Sequence, residues 1–409
     1  MDFGVIMDFD RPPNSMITLK SMITGVWRYL GAVSLDQEAA VALGTVRVLG
    51  TGLLGTSIGL ALAAQGTRVL LRDPSPTALA LACNLGAGEP DPGGVDARLT
   101  VVAAPPDVTA DVVVRALADD PGATVTDVAS VKAQVLAAVA DAGGDLVRYV
   151  GGHPMAGRER SGPLAARGDL FIGRPWVICP GDKADPARRD DVRLLARATG
   201  ARPVLMPAAE HDVAVALVSH VPQVAASLVA ARLQDGSEQA VSLAGQGLRD
   251  VTRIAESDPL LWAQILGANA APVAEVLELL RADLDAVIAD LRVLGSAADA
   301  DVATVGPAGA SLAAVAELIM RGNVGRERIP GKHGGGPTRY AVLTVVVPDR
   351  PSQLAELFAD IAAAGINIEE ITLEHAPGRA VGLVEVSVLP TAEAALEAAL
   401  AEGGWHVVS

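Results

Sequence analysis

Aromatic residues and cysteines are scarce in this chain. Only 3% of its 409 residues are Phe, Trp or Tyr although half are hydrophobic, so Ala, Val and Leu must fill the cores. Two cysteines, Cys83 and Cys179, are too few for a disulfide framework, and we expect reduced thiols in a cytoplasmic protein. The length exceeds what one ordinary core requires and predicts two or three domains.

Basic residues are also few. The 32 Lys and Arg residues face 48 Asp and Glu residues, giving a net charge of −16, which disfavours nucleic acid and anionic membranes as partners. The apolar runs 48–67 and 213–231 are interrupted by Gly, His, Pro and Gln, so we expect buried elements and no membrane span. The early acidic residues Asp2, Asp8 and Asp10 argue against a signal peptide.

The chain divides into regions of different periodicity. Residues 1–43 lack a clear period and form an uncertain extension, whereas residues 44–182 alternate short apolar runs with Ala/Leu-rich helical stretches. This alternation predicts an α/β domain of the Rossmann type, with a mostly parallel sheet covered on both faces. The predicted strands are 46–50, 68–72, 100–104, 123–127, 148–151 and 175–179.

The second half of the chain changes character twice. Residues 183–321 repeat apolar residues at spacings of three and four and predict an all-α domain that packs on itself or on a second copy. Residues 322–338 are rich in Gly and Pro and predict a linker. Residues 339–409 have the order βαββαβ, which is the ferredoxin-like arrangement.

A glycine-rich motif follows the first predicted strand. Gly50, Gly52 and Gly55 form a G-x-G-x-x-G, and Leu53 and Leu54 begin the next helix. The glycines permit a tight turn, close approach of a pyrophosphate and tight helix–sheet packing, while the helix N-terminus favours phosphate charge. We therefore expect a dinucleotide cofactor here.

An acidic residue follows at the spacing that this motif requires. Asp73 ends the next strand, where a carboxylate accepts both ribose hydroxyls and repels a 2′-phosphate, so NAD is favoured over NADP. The neighbouring Arg72, counted here among the cofactor-binding candidates, weakens that preference. Pro105 ends the third strand, either beside the cofactor or simply as a strand terminator.

Three further clusters contain chemically useful side chains. They are TDVASVK at 126–132, GGHPMAGRERSG at 151–162 and GQGLRDVTRIAESDPLLW at 245–262. Ser130 is a candidate N-cap, but Ala133 occupies the position where a capping box needs Glu or Gln. Lys132 in the first helical turn opposes the helix dipole, which suggests a role beyond local stability.

These clusters, in this order after the glycine motif, resemble the prephenate dehydrogenase family, and His211-Asp212 followed by Ser219-His-Val-Pro222 adds a fourth match. The resemblance covers residues 46–320. It implies NAD-dependent oxidative decarboxylation of prephenate, with His153 as general base, Ser130 orienting the hydroxyl and Arg253 binding a carboxylate. It also implies a homodimer through the helical domain. Further candidates for substrate contact are Lys132, Glu159, Gln223, Arg249 and Trp262.

The C-terminal region resembles an ACT domain, notably at 348–354 and 365–368. Such domains bind amino acids, so Asp349 and Asn367 are candidate contacts for an aromatic amino-acid effector. Ser352 occupies the position of the usual glycine, which predicts altered or lost binding.

Other interpretations remain open from the sequence. Arogenate is the close alternative substrate, although the neutral Gln223 favours prephenate. A β-hydroxyacid dehydrogenase-like enzyme or an imine reductase has the same two-domain plan but gives no reason for His153 and Arg253 together. A non-catalytic sensor of NAD and amino acids is a third hypothesis. No metal is expected, because His211 and His220 lie nine residues apart, on opposite faces of an ideal helix.

Overall fold

A computed structural model of the chain describes residues 36–157, 162–296, 306–330, 339–375 and 380–408. The chain forms two compact units. The first runs to Leu243 and includes Arg249–Glu278, and the second comprises Ala244–Leu248 and the residues from Leu279 onward.

A five-stranded parallel sheet forms the centre of the first unit. Its order is β3-β2-β1-β4-β5, with β1 Thr45–Leu49, β2 Arg68–Arg72, β3 Glu89–Pro90, β4 Leu99–Val102 and β5 Thr124–Asp127. Strands β4 and β5 are buried throughout, because helices cover both faces of a parallel sheet. The order reverses between β1 and β4, and the crevice beyond their carboxyl ends is where a doubly wound sheet binds ligands.

A second sheet of three strands continues this unit. It consists of β6 Val150–Pro154, β7 Pro175–Pro180 and β8 Arg202–Leu205, with β6 antiparallel to β7 and β7 parallel to β8. A bridge between Val125 and Tyr149 joins it to β5. Strand β8 corrects the prediction that the chain is helical from residue 183, since four residues containing a proline show no strand alternation.

Among the residues that the structure describes, six α-helices accompany these sheets. They are α1 Gln37–Leu43, α2 Leu53–Ala63, α3 Pro76–Asn84, α4 Thr109–Asp119, α5 Ala133–Asp141 and α6 Pro186–Ala198. Helix α1 buries Ala39, Ala40 and Leu43 and contacts α6. Residues 37–43, which the sequence assigned to an uncertain extension, therefore pack as part of the first unit.

Helices dominate residues 208–296. They are α7 Ala208–Val215, a π-helix Ala216–His220, α8 Val221–Arg232, α9 Glu238–Val241, α10 Gln246–Thr252, a 3₁₀ turn Arg253–Ala255, α11 Pro259–Ala268 and α12 Ala270–Ser296. Among the described residues, the stretch Ala208–Asp235 is long and apolar enough to cross a membrane, and α11 with α12 passes the same test as a pair bent by 94°. Length and composition alone are weak evidence for a span, and buried polar groups on α7 and α8 argue against one.

The second unit contains a four-stranded antiparallel sheet. Its elements are α13 Pro307–Glu327, β9 Ala341–Pro348, α14 Gln353–Ala363, β10 Glu370–His375, β11 Val381–Val388, α15 Glu393–Glu402 and β12 His406–Val408. The strand order is β10-β11-β9-β12. The predicted order βαββαβ is observed from β9 to β12, and apolar residues of the sheet and both helices form one core, including Val345, Leu357, Val386 and Leu396.

Candidate active site

The glycine motif forms a tight turn between β1 and α2. Gly50 has φ of +102°, and a Cβ at that position would lie 2.3 Å from the carbonyl oxygen of Ala103. A Cβ on Gly55 would lie 1.9 Å from the carbonyl oxygen of Gly50. By contrast, a Cβ on Gly52 would meet nothing within 4 Å, so there is open space beside the backbone at the start of α2. This geometry suits a pyrophosphate at the helix N-terminus.

The carboxylate of Asp73 faces this turn. Its Oδ2 accepts hydrogen bonds from the Thr51 backbone N–H at 2.6 Å and the Thr51 hydroxyl at 2.8 Å, and its Oδ1 accepts one from the Ser75 backbone N–H at 2.8 Å. The acid at the end of β2 is thereby joined to the glycine turn. Thr51 was missed by sequence reasoning because a variable position of the motif gives no compositional signal.

Arg72 is turned toward a different carboxylate. Its Nε lies 2.7 Å from Oδ2 of Asp91, a fully buried side chain that also pairs with the buried Arg47. A guanidinium paired in this way is less available to bind the 2′-phosphate of NADP. Arg72 therefore weakens the preference for NAD less than the sequence led us to expect. Leu53 and Leu54 lie in the first turn of α2, and Pro105 lies exposed just beyond β4.

The predicted base lies on β6 next to a buried dyad. Nδ1 of His153 is 2.8 Å from Nε2 of His211, and Nδ1 of His211 is 2.7 Å from Oδ1 of Asp212. His211 is 1% exposed and Asp212 is 4% exposed. Three side chains from β6 and α7 therefore form one hydrogen-bonded row.

Asp212 also caps helix α5. Its two carboxylate oxygens accept the backbone N–H groups of Lys132 and Ala133, each at 2.8 Å. Ser130 is therefore not the N-cap considered from the sequence: it precedes the helix by three residues and is partly exposed. The cap comes from a residue 80 positions away, a distance at which sequence patterns carry no capping signal.

Lys132 is buried next to this row. Its side chain is 1% exposed, pairs with Oδ1 of Asp127, and donates to the carbonyl oxygen of Gly152 at 2.7 Å. Tyr149 donates its hydroxyl to the other oxygen of Asp127 at 2.7 Å. Lys132 thus anchors the strand that carries His153, and its contact with substrate stays a prediction.

A third histidine reaches the same cluster. Asn269 donates to the backbone carbonyl of Asp212 at 2.8 Å and lies 3.0 Å from Nδ1 of His220. His220 is 1% exposed, like His211, and both lie close enough to His153 to lower its pKa, so the sequence-based statement that the two lie on opposite faces was wrong. The π-helix Ala216–His220 changes the rotation per residue between them, which ideal α-helical spacing ignores.

The electrostatics of the cluster favour neutral imidazoles. Burial, together with the neighbouring His211, Lys132 and His220, holds the pKa of His153 well below its ordinary value of 6.5. Burial likewise lowers the pKa of His220. Burial would raise the pKa of Asp212, but hydrogen bonds from His211 and two backbone N–H groups outweigh it, and the net pKa is lowered. The cluster therefore presents a neutral base beside an ionised carboxylate.

The other predicted substrate contacts lie on α8, α10, α11 and the turn between them. Gln223 is buried on α8, with the Ser257 hydroxyl 3.4 Å from its Oε1, and the Trp262 ring meets His220 edge-on with centroids 6.0 Å apart. Arg253 is exposed and begins a 3₁₀ turn that contacts α8, and Arg249 is exposed on α10.

Three predicted residues remain. Glu159 lies outside the described residues. Asp349 and Asn367 belong to the second unit, where the Asn367 amide donates to Glu369 at 2.8 Å. Among the residues that the structure describes, no group of three or more His, Cys, Asp or Glu side chains is arranged to hold a metal ion.

Two family models match the chain. Residues 58–205 match the nucleotide-binding domain of prephenate dehydrogenase, and residues 207–300 match the dimerization domain of prephenate dehydrogenase. The boundary between them follows β8, which agrees with the end of the second sheet.

Individual relatives point to the same family. The chain is 42% identical over 350 residues to a probable prephenate dehydrogenase, NovF, of Streptomyces niveus, covering 85% of this chain and 94% of that protein. It is 29% identical to the prephenate dehydrogenase of Bacillus subtilis, covering 84% and 91%. In fold it resembles prephenate dehydrogenase from A. aeolicus, solved with hydroxyphenyl propionate and NAD⁺, with a TM-score of 0.59 and 24% identity over 69% of this chain and 97% of that one. The chain therefore belongs to the prephenate dehydrogenase family, a family of oxidoreductases with a Rossmann-type nucleotide-binding domain followed by a helical dimerisation domain.

Proposed function

We propose that the protein is an NAD-dependent prephenate dehydrogenase that converts prephenate to 4-hydroxyphenylpyruvate on the route to tyrosine. The observation that carries this proposal is the environment of His153. Its neutral imidazole lies on the strand next to β5 and is bonded to His211, which is bonded to Asp212, in a chain of this family. Relatives named as prephenate dehydrogenases support it.

The nucleotide crevice fits NAD. The open space at Gly52, the N-terminus of α2 and the carboxylate of Asp73 provide room for a pyrophosphate, a favourable dipole and a ribose acceptor. When bound there, NAD⁺ supplies the acceptor for the hydride that leaves the carbon bearing the substrate hydroxyl. The paired state of Arg72 supports NAD over NADP.

The residues of this chain have separate tasks in the reaction. His153 accepts the hydroxyl proton as the C–H pair leaves as hydride and the O–H pair forms a C=O bond. The C–CO₂ pair then enters the ring, so that carbon dioxide is released, the ring becomes aromatic and the oxygen takes the proton back from His153. Such base catalysis contributes roughly 10²–10⁴-fold. Ser130 orients the hydroxyl, and Arg253 binds a carboxylate, a charge-assisted contact of roughly 1.5–3 kcal/mol. Gln223, Trp262 and Arg249 complete the proposed substrate contacts.

A side-by-side assay tests the activity. NADH formation is followed after adding NAD⁺ with either prephenate or arogenate, and we expect faster turnover with prephenate because the neutral Gln223 offers no charge to the arogenate ammonium. Turnover with arogenate alone would make the enzyme an arogenate dehydrogenase, and turnover with neither would refute the proposal.

Two substitutions test the site. His153→Asn should lower kcat roughly 10²–10⁴-fold with NAD⁺ affinity retained, because only the base is removed.

Arg253→Ala should raise the prephenate KM roughly 10- to 100-fold with kcat less affected, because it removes binding of a carboxylate. Arg249→Ala is the matched control, with a smaller rise in KM. Unchanged kinetics in the first two variants would contradict these roles.

The assembly and regulation are proposed as follows. A homodimer forms through the helical domain, as the dimerization-domain match and the exposed apolar side chains of α7, α8 and the π-helix suggest.

The C-terminal βαββαβ unit is an ACT domain that senses an aromatic amino acid near Asp349 and Asn367. We place the enzyme in the cytoplasm, with no nucleic-acid or membrane partner. Tyrosine should alter the activity, and deletion from about residue 338 should abolish the response; a response that persists would locate the effector site elsewhere.

A further inference from the structure

Two short hydrogen bonds connect His153 to a buried carboxylate through a second imidazole. The row runs from Asp212 Oδ1 to His211 Nδ1 at 2.7 Å, and from His211 Nε2 to His153 Nδ1 at 2.8 Å. The family resemblance does not explain why one imidazole should be bonded to another, because only one base is needed for one hydroxyl proton.

Counting protons along the row determines which nitrogen of each ring is protonated. The Asp212 carboxylate already accepts two backbone N–H groups of α5 and can only accept, so His211 must carry its proton on Nδ1. A neutral His211 then has a bare Nε2, and its bond to His153 requires the His153 proton to be on Nδ1. The remaining nitrogen of His153, Nε2, is left with its lone pair, and no described residue bonds to it.

We propose that His211 is a positioning residue for the reaction: oriented by Asp212, it holds His153 in the Nδ1–H form whose Nε2 can accept the substrate hydroxyl proton. This inference rests on the function proposed above. In water the Nε2–H form of histidine would compete, and a base protonated on the nitrogen that faces the substrate cannot act. The bond to His211 disfavours the Nε2–H form of His153 before substrate binds.

The same row stabilises the charge that forms during turnover. The substrate O–H bond breaks, its electron pair stays on oxygen, and the proton forms a new N–H bond at Nε2 of His153. The resulting imidazolium donates from Nδ1 to His211, which is backed by the negative Asp212. The other groups that face His153 are Lys132, whose charge is paired with Asp127, and His220. Asp212 is therefore the carboxylate that stabilises the positive charge formed on His153.

The protonation state can be read directly by NMR. The chain has six histidines, so histidine side chains labelled with ¹⁵N give a spectrum that single substitutions can assign. At mildly alkaline pH, without substrate or cofactor, we expect His153 to be in the Nδ1–H form in the full-length protein. In His211→Leu the acceptor is gone, and a substantial Nε2–H population should appear. A wild-type His153 in the Nε2–H form would overturn the inference.

Kinetics provide the second readout. His211→Leu should lower kcat roughly 10²-fold while the KM for prephenate changes less than about twofold. His211→Gln can present a carbonyl oxygen to His153 Nδ1 and should recover at least about tenfold of that loss. His406→Leu, an exposed histidine of the second unit, is the matched control and should leave kcat unchanged. Equal kcat in the Leu and Gln variants, or an unchanged kcat in the Leu variant, would contradict the positioning role.

The two readouts separate this inference from the proposed function. If the enzyme turned over neither prephenate nor arogenate, the NMR result would still show whether His211 sets the form of His153. If turnover were normal but the His153 form did not depend on His211, the function would stand and the positioning role would fall.

Discussion

At the scale of single residues, the environment of His153 predicts how activity depends on pH. Burial and the nearby His211, Lys132 and His220 lower its pKa well below 6.5, and paired Asp127 and Asp212 are the adjacent carboxylates. A lowered pKa keeps the base neutral on the acid side of its ordinary range. The acid limb of kcat/KM should therefore have its midpoint below pH 6.5, whereas a midpoint above that value would contradict this assignment.

The same shift has a consequence for stability. Between its lowered folded pKa and its ordinary value of 6.5, His153 binds a proton in the unfolded chain but not in the folded one. The stabilisation of the folded state that results from this difference in proton binding is therefore fully present above pH 6.5 and is lost as the pH falls toward the folded pKa. His153→Asn should make the unfolding free energy of the first unit less dependent on pH in this window, as urea titrations at several pH values would show.

The position of Asp73 predicts which cofactor the enzyme prefers. Its carboxylate joins the glycine turn through Thr51 and is available to a ribose, and a negative charge there repels a 2′-phosphate. Asp73→Asn should lower kcat/KM for NAD⁺ roughly 10-fold, the value of about one charge-assisted hydrogen bond, and should narrow the preference over NADP⁺. Steady-state kinetics with both cofactors measure this. An unchanged ratio of the two kcat/KM values would show that Asp73 does not set the preference.

At the scale of secondary-structure elements, the turn between β1 and α2 allows a matched pair of substitutions. Gly55→Ala would push a Cβ to 1.9 Å from the Gly50 carbonyl oxygen, so α2 must move and the first unit should be destabilised by about 2 kcal/mol or more. Gly52→Ala meets no protein atom within 4 Å, so stability should be nearly unchanged, but the methyl group fills space needed by the pyrophosphate. Thermal unfolding and NAD⁺ titration together distinguish the two effects. A Gly52→Ala protein that binds NAD⁺ normally would place the cofactor elsewhere.

The turn before α14 predicts an effect on the second unit. Ser352 has φ of +77°, the left-handed region that favours glycine. Ser352→Gly should therefore stabilise the local structure by about 1 kcal/mol, less the entropy that glycine adds to the unfolded chain. Amide hydrogen exchange of β9 and α14 measures this in the full-length protein, with Ser352→Ala as the control that keeps the strain. Equal protection in both variants would mean that the turn is not strained.

The elements that sequence reasoning identified are those with a local signal. The glycine motif with Asp73 and the order βαββαβ could be predicted from residues close in sequence. His153 was identified as the candidate base, but the predicted strand ended at residue 151 and the observed strand continues to Pro154. The bond between His153 and His211 and the Asp212 cap on α5 could not be predicted in this way, because they join residues 58 and 80 positions apart. The π-helix Ala216–His220 also escaped prediction, and with it the placement of His220 in the site.

At the scale of the whole molecule, the helical region exposes large apolar side chains in a single copy. Along Ala208–Asp235 one face buries His211, His220 and Gln223, whereas the side chains of Leu217 and Leu228 are 61% and 60% exposed. Large exposed apolar side chains along a helix that also carries buried polar groups are typical of a subunit interface. A second copy would cover them, as the dimerization-domain match leads us to expect.

This proposal can be tested by the mass of the protein in solution. Light scattering should give about twice the 41.6 kDa chain mass for the wild type. The double variant Leu217→Glu with Leu228→Glu should shift it toward the monomer, because carboxylates at the centre of an apolar interface must be desolvated without partners. Leu164→Glu, at a side chain 79% exposed in the nucleotide-binding domain, is the matched control and should stay dimeric. A wild-type monomer would refute the dimer, and a dimeric double variant would mean that α7 and α8 do not form the interface.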